Sequence, residues 1–104
     1  MNETEKIYSV IVNDSAKLMM FEHITFLSQV SITAAERLYD SFEKTFDSLS
    51  RFPHRCPVFE TPYTAFQYRR MIVDQYALLF TIDEQKNSVF VELLWDTRQN
   101  NVLL

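Results

Sequence analysis

The 104-residue chain contains no glycine at all. Glycine takes a positive φ more readily than any other residue, so every turn that needs one must use a different residue here. Asn and Asp are the next most tolerant of the left-handed region. Asn13, Asp74 and Asn87 each lie where a regular pattern stops, and we expect the positive φ values at such positions.

Hydrophobic periodicity predicts a strand and then a helix at the start of the chain. The segment Ile7–Val12 is β-branched, aromatic and nearly all apolar, which is typical of a strand covered on much of both faces. Asn13, Asp14 and Ser15 then provide capping side chains. From Ala16 to Val30, apolar residues recur at three- and four-residue spacing, the stripe of an amphipathic helix.

A second helix follows, with a clearer beginning and end. Thr33 and Glu36 fit a capping box at its start, and Pro53 cannot continue the helix at its end. The short link Ser31–Ile32 predicts an antiparallel helical hairpin. The apolar stripe expected to be buried comprises Ala35, Leu38, Phe42, Phe46, Leu49 and Phe52.

The second half of the chain is predicted to form strands. All three prolines lie in PHRCPVFETP, residues 53–62, which is expected to be irregular. Three alternating or apolar runs separated by polar turns then predict an antiparallel meander, with strands at 66–73, 76–82 and 88–95. The order βααβββ predicts a single α+β domain over residues 1–104, with an antiparallel sheet packed against the helical hairpin.

Composition narrows the class of protein. An apolar content of 47% indicates a globular chain. No apolar run reaches the roughly 18 residues of a membrane span, and the polar start MNETEK does not resemble a signal peptide. Cys56 is the single cysteine, so a reducing cytoplasm is the expected location. No Cys/His spacing suggests a metal site, and no cofactor is expected.

Charge is unevenly distributed along the chain. The formal net charge is −4, yet residues 51–73 contain four arginines and one glutamate, a local balance of +3 that leaves −7 for the rest. This division predicts one basic surface on an otherwise acidic body. Ordinary scatter of ten basic residues is the alternative.

Three segments carry a resemblance to a known family. FPHRCP ends the second helix with a proline, YRRMIVDQYALLFTID spans Tyr68 to Asp83, and LLWDTRQN places Arg98 after the last strand. In this order, and with the βααβββ pattern, the whole chain resembles the RelE/ParE superfamily of bacterial toxins, which includes plasmid-stabilisation toxins of type II toxin–antitoxin systems.

The resemblance implies a cognate antitoxin as partner and two alternative activities. RelE-like members are ribosome-dependent endoribonucleases that cleave mRNA, whereas ParE-like members bind and poison DNA gyrase. The chain would act as a homodimer or as a hetero-oligomer with its antitoxin. A member that has lost toxicity and acts only as a binding protein is a third alternative.

Two departures favour the ParE-like alternative. Many RelE-like members carry an arginine after the tyrosine that opens the third strand, whereas Ala77 follows Tyr76 here. Many also end with a tyrosine or histidine, whereas this chain ends NNVLL. RNA cleavage without a metal needs an acid, a base and cations for the phosphorane. No residue is therefore assigned a catalytic role.

The candidate contacts with a target or with RNA are Arg69, Arg70 and Arg98, and the weaker candidates are Arg55, His54 and Tyr76. Arg69 and Arg70 are adjacent on a strand and must point to opposite faces. The structural alternative pairs them with Glu92 or Asp96. Glu60 is a speculative base, whereas Cys56 and His23 are interpreted as bystanders in the fold.

Overall fold

A computed structural model describes residues 6–60 and 66–98 of the chain. The elements in chain order are β1 (Ser9–Val12), α1 (Asp14–Ser28), α2 (Ile32–Leu49), a 3₁₀ turn (Pro53–Arg55), β2 (Val58–Phe59), β3 (Tyr68–Val73), β4 (Tyr76–Asp83) and β5 (Ser88–Asp96). The predicted α+β class is confirmed. Within the described ranges, neither helix is long and apolar enough to cross a membrane.

The five strands form one mixed sheet in the order β1-β5-β4-β3-β2. The predicted meander of β3, β4 and β5 is confirmed as antiparallel pairing. Two details differ from the expected all-antiparallel sheet of four strands. β1 pairs in parallel with β5 because the helical hairpin returns the chain across the sheet. The proline-rich segment also contributes the two-residue edge strand β2.

The helix ends differ in part from those expected. Asn13 caps α1, with its side-chain oxygen accepting a hydrogen bond from the Ala16 N–H at 2.8 Å. Ser31 caps α2 in the same way, accepting from the Ala34 N–H at 3.1 Å. The predicted capping box at Thr33 is therefore wrong, because the helix begins earlier and Thr33 already lies inside its first turn.

Positive φ occurs at two of the three expected positions. Asp74 (φ 55°) and Asn87 (φ 50°) lie in the β3–β4 and β4–β5 turns. Asn13 has φ −72° and acts as a cap, so that expectation is wrong. Phe52 takes the third positive φ of the described residues, at 48°. Because α2 ends at Leu49 and the chain turns there, Phe52 is 65% exposed rather than buried in the predicted stripe.

The hydrophobic core lies between the helical hairpin and one face of the sheet. Phe42 is fully buried, with its ring centroid 6.3 Å from that of Phe46 and 5.4 Å from that of Tyr76. Ala35, Leu38 and Leu49 of the predicted stripe are buried beside it. β1 is less covered than expected because it is an edge strand, and Ile11 is exposed.

Candidate functional site

The face of the sheet opposite the helices is the first region that a binding partner could reach, and we call it the open face. Tyr76, Leu78 and Phe80 belong to the core under the helices. Because strand residues alternate, Ala77 and Leu79 face the other way. Both are nevertheless 0% exposed, so neighbouring side chains cover this side of β4 as well.

Two aromatic side chains provide that cover. Ala77 pairs with Trp95 of β5, and Leu79 lies between Leu93 and Arg70 on the neighbouring strands. Phe59 of β2 brings its ring centroid within 6.5 Å of that of Trp95. Since β3 and β4 lie between these strands, a flat sheet would separate them by about 14 Å. The two aromatic side chains therefore reach toward each other across β3 and β4.

Arg70 is the one candidate arginine on this open face. Its guanidinium carbon lies 5.7 Å from the centre of the Phe59 ring, a cation–π arrangement. The side chain is exposed, so its charge remains available to an anionic or carboxylate partner.

Arg69 points to the opposite side, as expected from its neighbouring position, and contacts the chain itself. Its Nη1 donates to the backbone carbonyl of His54 at 3.1 Å and to that of Cys56 at 2.6 Å. These bonds tie the proline-rich loop to β3. Arg69 thus has a structural role in the loop, and its partners are these carbonyls where the structural alternative proposed Glu92 or Asp96.

Arg98 and Tyr76 are brought together at the far end of β5. Asp96, which is buried, accepts from Arg98 Nε at 3.1 Å and from Nη2 at 2.9 Å. The hydrogen bond from Arg98 lowers the pKa of Asp96, and burial raises that of Tyr76. His23 packs edge-on against Tyr76 at 5.0 Å. The guanidinium is held in one orientation while its side chain stays 69% exposed.

His54 belongs to a third group at the opposite end of the molecule. Its Nε2 lies 2.5 Å from Glu84 Oε2, and Glu84 Oε1 also accepts from Lys6 Nζ at 3.1 Å and from Tyr8 OH at 2.9 Å. These bonds, led by that of Lys6, lower the pKa of Glu84 to about 2. The carboxylate therefore joins the N-terminal segment, the loop after α2 and the β4–β5 turn.

Arg55 and Cys56 have structural surroundings in the same loop. Arg55 Nη1 donates to the carbonyls of Ser48, Arg51 and Phe52, which satisfies acceptors at the end of α2. Burial raises the pKa of the Cys56 thiol, as expected of an inert cysteine. Glu60 is exposed.

The candidate residues are thus divided among three places. Arg70 lies on the open face, Arg98 with Tyr76 at one end, and His54 with Arg55 and Arg69 at the other. Among residues 6–60 and 66–98, no three metal-ligating side chains come together. The described open face offers the guanidinium of Arg70 and the aromatic rings of Phe59 and Trp95.

Sequence reasoning missed Glu84, Lys6, Tyr8, Phe59 and Trp95. Glu84 is 30 residues from His54 and 78 from Lys6, so no local spacing links them. The Phe59–Trp95 contact joins two strands that are separated by β3 and β4, which no local pattern in the sequence indicates. The Asp96–Arg98 pair is different, since two residues of opposite charge at a strand end could have been paired by inspection.

Comparisons with known proteins agree with one another. A family model described as the ParE toxin of the type II toxin–antitoxin system parDE matches residues 10–101. The RelBE2 toxin–antitoxin complex of Mycobacterium tuberculosis contains a chain with a TM-score of 0.61 and 20% identity, covering 88% of this chain and 92% of that one.

An archaeal RelE–RelB complex from Pyrococcus horikoshii OT3 is also similar, with a TM-score of 0.57 and 13% identity over 90% of this chain and 99% of that one. At these identities the two structures establish the fold. No curated protein sequence gives a significant match.

Proposed function

From the premise that this chain belongs to the ParE toxin family of type II toxin–antitoxin systems, we propose that it acts as a toxin that binds and inhibits DNA gyrase. In this proposal residues 1–104 form one toxin domain that works in the cytoplasm, is neutralised by a cognate antitoxin and serves plasmid stabilisation. The toxin is not an mRNA interferase.

The observation that carries this proposal is the contact between Phe59 and Trp95 across the open face. A ribonuclease needs room for a substrate strand and a set of groups that stabilise the transition state by many kcal/mol. Here Phe59 and Trp95 meet above Leu79, and Ala77 provides a methyl group at the position where RelE-like members carry a cation. Arg70 is left without a second arginine, because Arg69 and Arg98 turn to other sides.

The two exposed arginines support a binding role. Arg98 is fixed by two hydrogen bonds to Asp96, and Arg70 is stacked on Phe59. A guanidinium that is already ordered loses less conformational entropy when it meets a carboxylate. We therefore assign both to the contact with the target.

The exposed apolar surface of α1 supports an antitoxin partner. Leu18, Phe21 and Phe26 are all about half exposed or more, and they border a shallow groove of about 410 Å³. Apolar side chains grouped in this way on a surface helix are typical of a protein interface. We propose that an antitoxin segment covers them and stabilises the toxin by mass action.

The test separates gyrase inhibition from RNA cleavage. The chain is expressed from a repressible promoter with and without a candidate antitoxin, and purified gyrase is assayed for trapped DNA cleavage. We expect toxicity that co-expression relieves, DNA damage, and no codon-dependent cleavage of ribosome-bound mRNA.

Variants assign the contact residues. Arg98→Ala and Arg70→Ala should each weaken gyrase inhibition about tenfold or more, as interface arginines do. Lys44→Ala, on the exposed side of α2, is the matched control and should have no effect. Codon-dependent cleavage that disappears in Arg98→Ala would establish the RelE-like ribonuclease instead, and the absence of both effects would favour a non-toxic binding protein.

A further inference from the structure

Phe52 has an unusual combination of backbone conformation and exposure. Its φ and ψ of 48° and 60° are left-handed, a region that a bulky side chain avoids and that suits the residue before a proline poorly. Its ring is 65% exposed, so little burial offsets this strain. Strained residues of this kind concentrate at functional sites.

The surrounding loop holds Phe52 in place. The Arg55 guanidinium donates to the carbonyls of Phe52 at 3.1 Å and Arg51 at 2.9 Å, and the Arg55 N–H donates to the Phe52 carbonyl at 3.2 Å. Pro53, the next residue, is fully buried. The aromatic ring is therefore presented to solvent by a rigid backbone, and a rigid anchor loses little entropy on binding.

Basic side chains lie in and beside the loop of Phe52, and we call this set the basic rim. Lys6, Arg51 and Arg55 are exposed and Arg69 is half-buried, and the carboxylates paired with Lys6 and Arg51 are Glu84 and Asp47. Four cations against two carboxylates give this set a formal balance of +2 on a chain whose net charge is −4. Ile7, which bridges to Arg51 and is 58% exposed, adds a second apolar side chain.

We propose that Phe52 and Ile7 form an anchor site for an acidic protein segment that carries an aromatic or long aliphatic side chain. This inference rests on the proposed function, and we assign that segment to the intracellular target of the toxin. The apolar side chain would pack on Phe52 while its flanking carboxylates meet the basic rim. Exposed aromatic residues beside arginines are the usual centres of protein interfaces.

A nucleic-acid strand fits this surface less well. Two of the four cations, Lys6 and Arg51, already face carboxylates at 3.1 Å and 3.9 Å, so the remaining charge matches one or two flanking carboxylates and is too small for a run of phosphates. The antitoxin is also a less suitable occupant. The groove of about 540 Å³ beside Ile32 and Tyr39 and the apolar face of α1 lie elsewhere on the helical hairpin, so a partner seated there leaves Phe52 accessible.

The anchor is tested with a defined probe on the full chain. A fluorescein-labelled peptide with one tryptophan flanked by glutamates is titrated with the protein, and anisotropy reports binding. Phe52→Asn keeps a residue that tolerates positive φ. We expect the variant to bind the peptide at least tenfold more weakly, yet to melt on the order of 4 °C higher because the strain is relieved.

Phe26→Asn is the matched control, since Phe26 is similarly exposed, at 69%, but lies within α1. It should leave peptide affinity unchanged and should not raise the melting temperature. The same peptide with lysines in place of glutamates should not bind the wild-type protein. Equal binding of the acidic peptide by Phe52→Asn, equal binding of the lysine peptide, or a lower melting temperature for Phe52→Asn would each overturn the proposal.

A cellular measurement separates this inference from the proposed function. In a toxic wild type, Phe52→Asn should abolish growth inhibition while its affinity for the antitoxin stays within about threefold. A toxic Phe52→Asn variant would remove Phe52 from the target contact. A wild-type chain without toxicity would instead defeat the proposed function, and the peptide titration would still decide whether the anchor exists.

Discussion

The two faces of the sheet bury the same strand by different means. Leu78 and Phe80 of β4 are covered by the helical hairpin, whereas Ala77 and Leu79 face away from it, and all four are 0% exposed. On the open face Ala77 and Leu79 lie beside Trp95 and Leu93 of β5. The first face is covered by separate elements, whereas the second lies among large side chains of the neighbouring strand.

This difference has a functional consequence. On the open face Phe59 and Trp95 are in contact across β3 and β4, where small side chains would leave the surface of the sheet clear. Contacts between large side chains can thus change what a sheet surface accommodates while the order of the strands is kept. The surfaces that remain exposed are rims, helix faces and loops, where protein partners bind.

The helix-covered face should carry the larger share of stability. Phe42 is fully buried and contacts both Phe46 and Tyr76. We expect Phe42→Ala to lower the free energy of unfolding by about 3–5 kcal/mol, from lost burial and the cavity that remains. Urea denaturation followed by circular dichroism measures this, and a loss below about 1 kcal/mol would contradict the assigned packing of α2.

The open face should be the weaker of the two. Leu79→Ala also removes a fully buried side chain, but the neighbouring side chains on the open face can move into the space. We expect a loss of about 2–3 kcal/mol, toward the lower end of the range for buried leucines. Leu78→Ala, one residue away and under the helices, is the matched comparison. A greater loss for Leu79→Ala than for Leu78→Ala would reverse the ranking of the two faces.

The sequence predicts burial on the helix-covered face better than burial on the open face. The stripe of Leu38, Phe42 and Leu49 follows a helical period, so the covered face could be predicted well. The strands β3 to β5 alternate too little to separate inside from outside, because Tyr76 to Phe80 are buried on both faces. The Phe59–Trp95 contact and the edge strand β2 depend on residues that are distant in sequence. Local patterns do not contain such contacts.

The candidate site could be predicted only in part, again because it depends on contacts between residues that are distant in sequence. Arg98, Arg70 and Arg69 were found from their position relative to strands, and their division between opposite faces follows from strand alternation. Which arginine stays accessible depends on the His54 and Cys56 carbonyls and on Asp96. Phe52 was placed in the buried stripe because the period was continued beyond Leu49, where the helix ends.

The aromatic contact between Phe59 and Trp95 on the open face can be tested directly. Phe59 belongs to a strand of only two residues and is half-buried, so Phe59→Ala should cost only about 1 kcal/mol. Trp95 is the single tryptophan of the chain. Its fluorescence should shift to longer wavelength and become more accessible to acrylamide in the variant, whereas Phe26→Ala should leave it unchanged. Unaltered emission in Phe59→Ala would show that Phe59 does not shield Trp95.

The smallest effect is expected from the carboxylate beside the loop, and it should depend on pH. Hydrogen bonds from Lys6, Tyr8 and His54 lower the pKa of Glu84 from an ordinary 4.5 to about 2. A carboxyl whose pKa is lowered by folding stabilises the folded state when it is ionised. That contribution is fully present above about pH 5 and is lost as the pH falls from there toward 2.

Glu84→Gln keeps the shape of the side chain and removes the charge, so it isolates this contribution. The difference in urea midpoint between wild type and variant should be constant from pH 7 to about pH 5, should shrink below pH 4.5, and should vanish near pH 2. Because both side chains of the Lys6–Glu84 pair are half exposed, added salt should reduce the difference at neutral pH. Glu22→Gln, on the exposed side of α1, controls for the loss of a carboxyl as such. A difference between wild type and Glu84→Gln that stays constant down to pH 2 would mean that the Glu84 carboxylate does not join the N-terminal segment to the loop of His54.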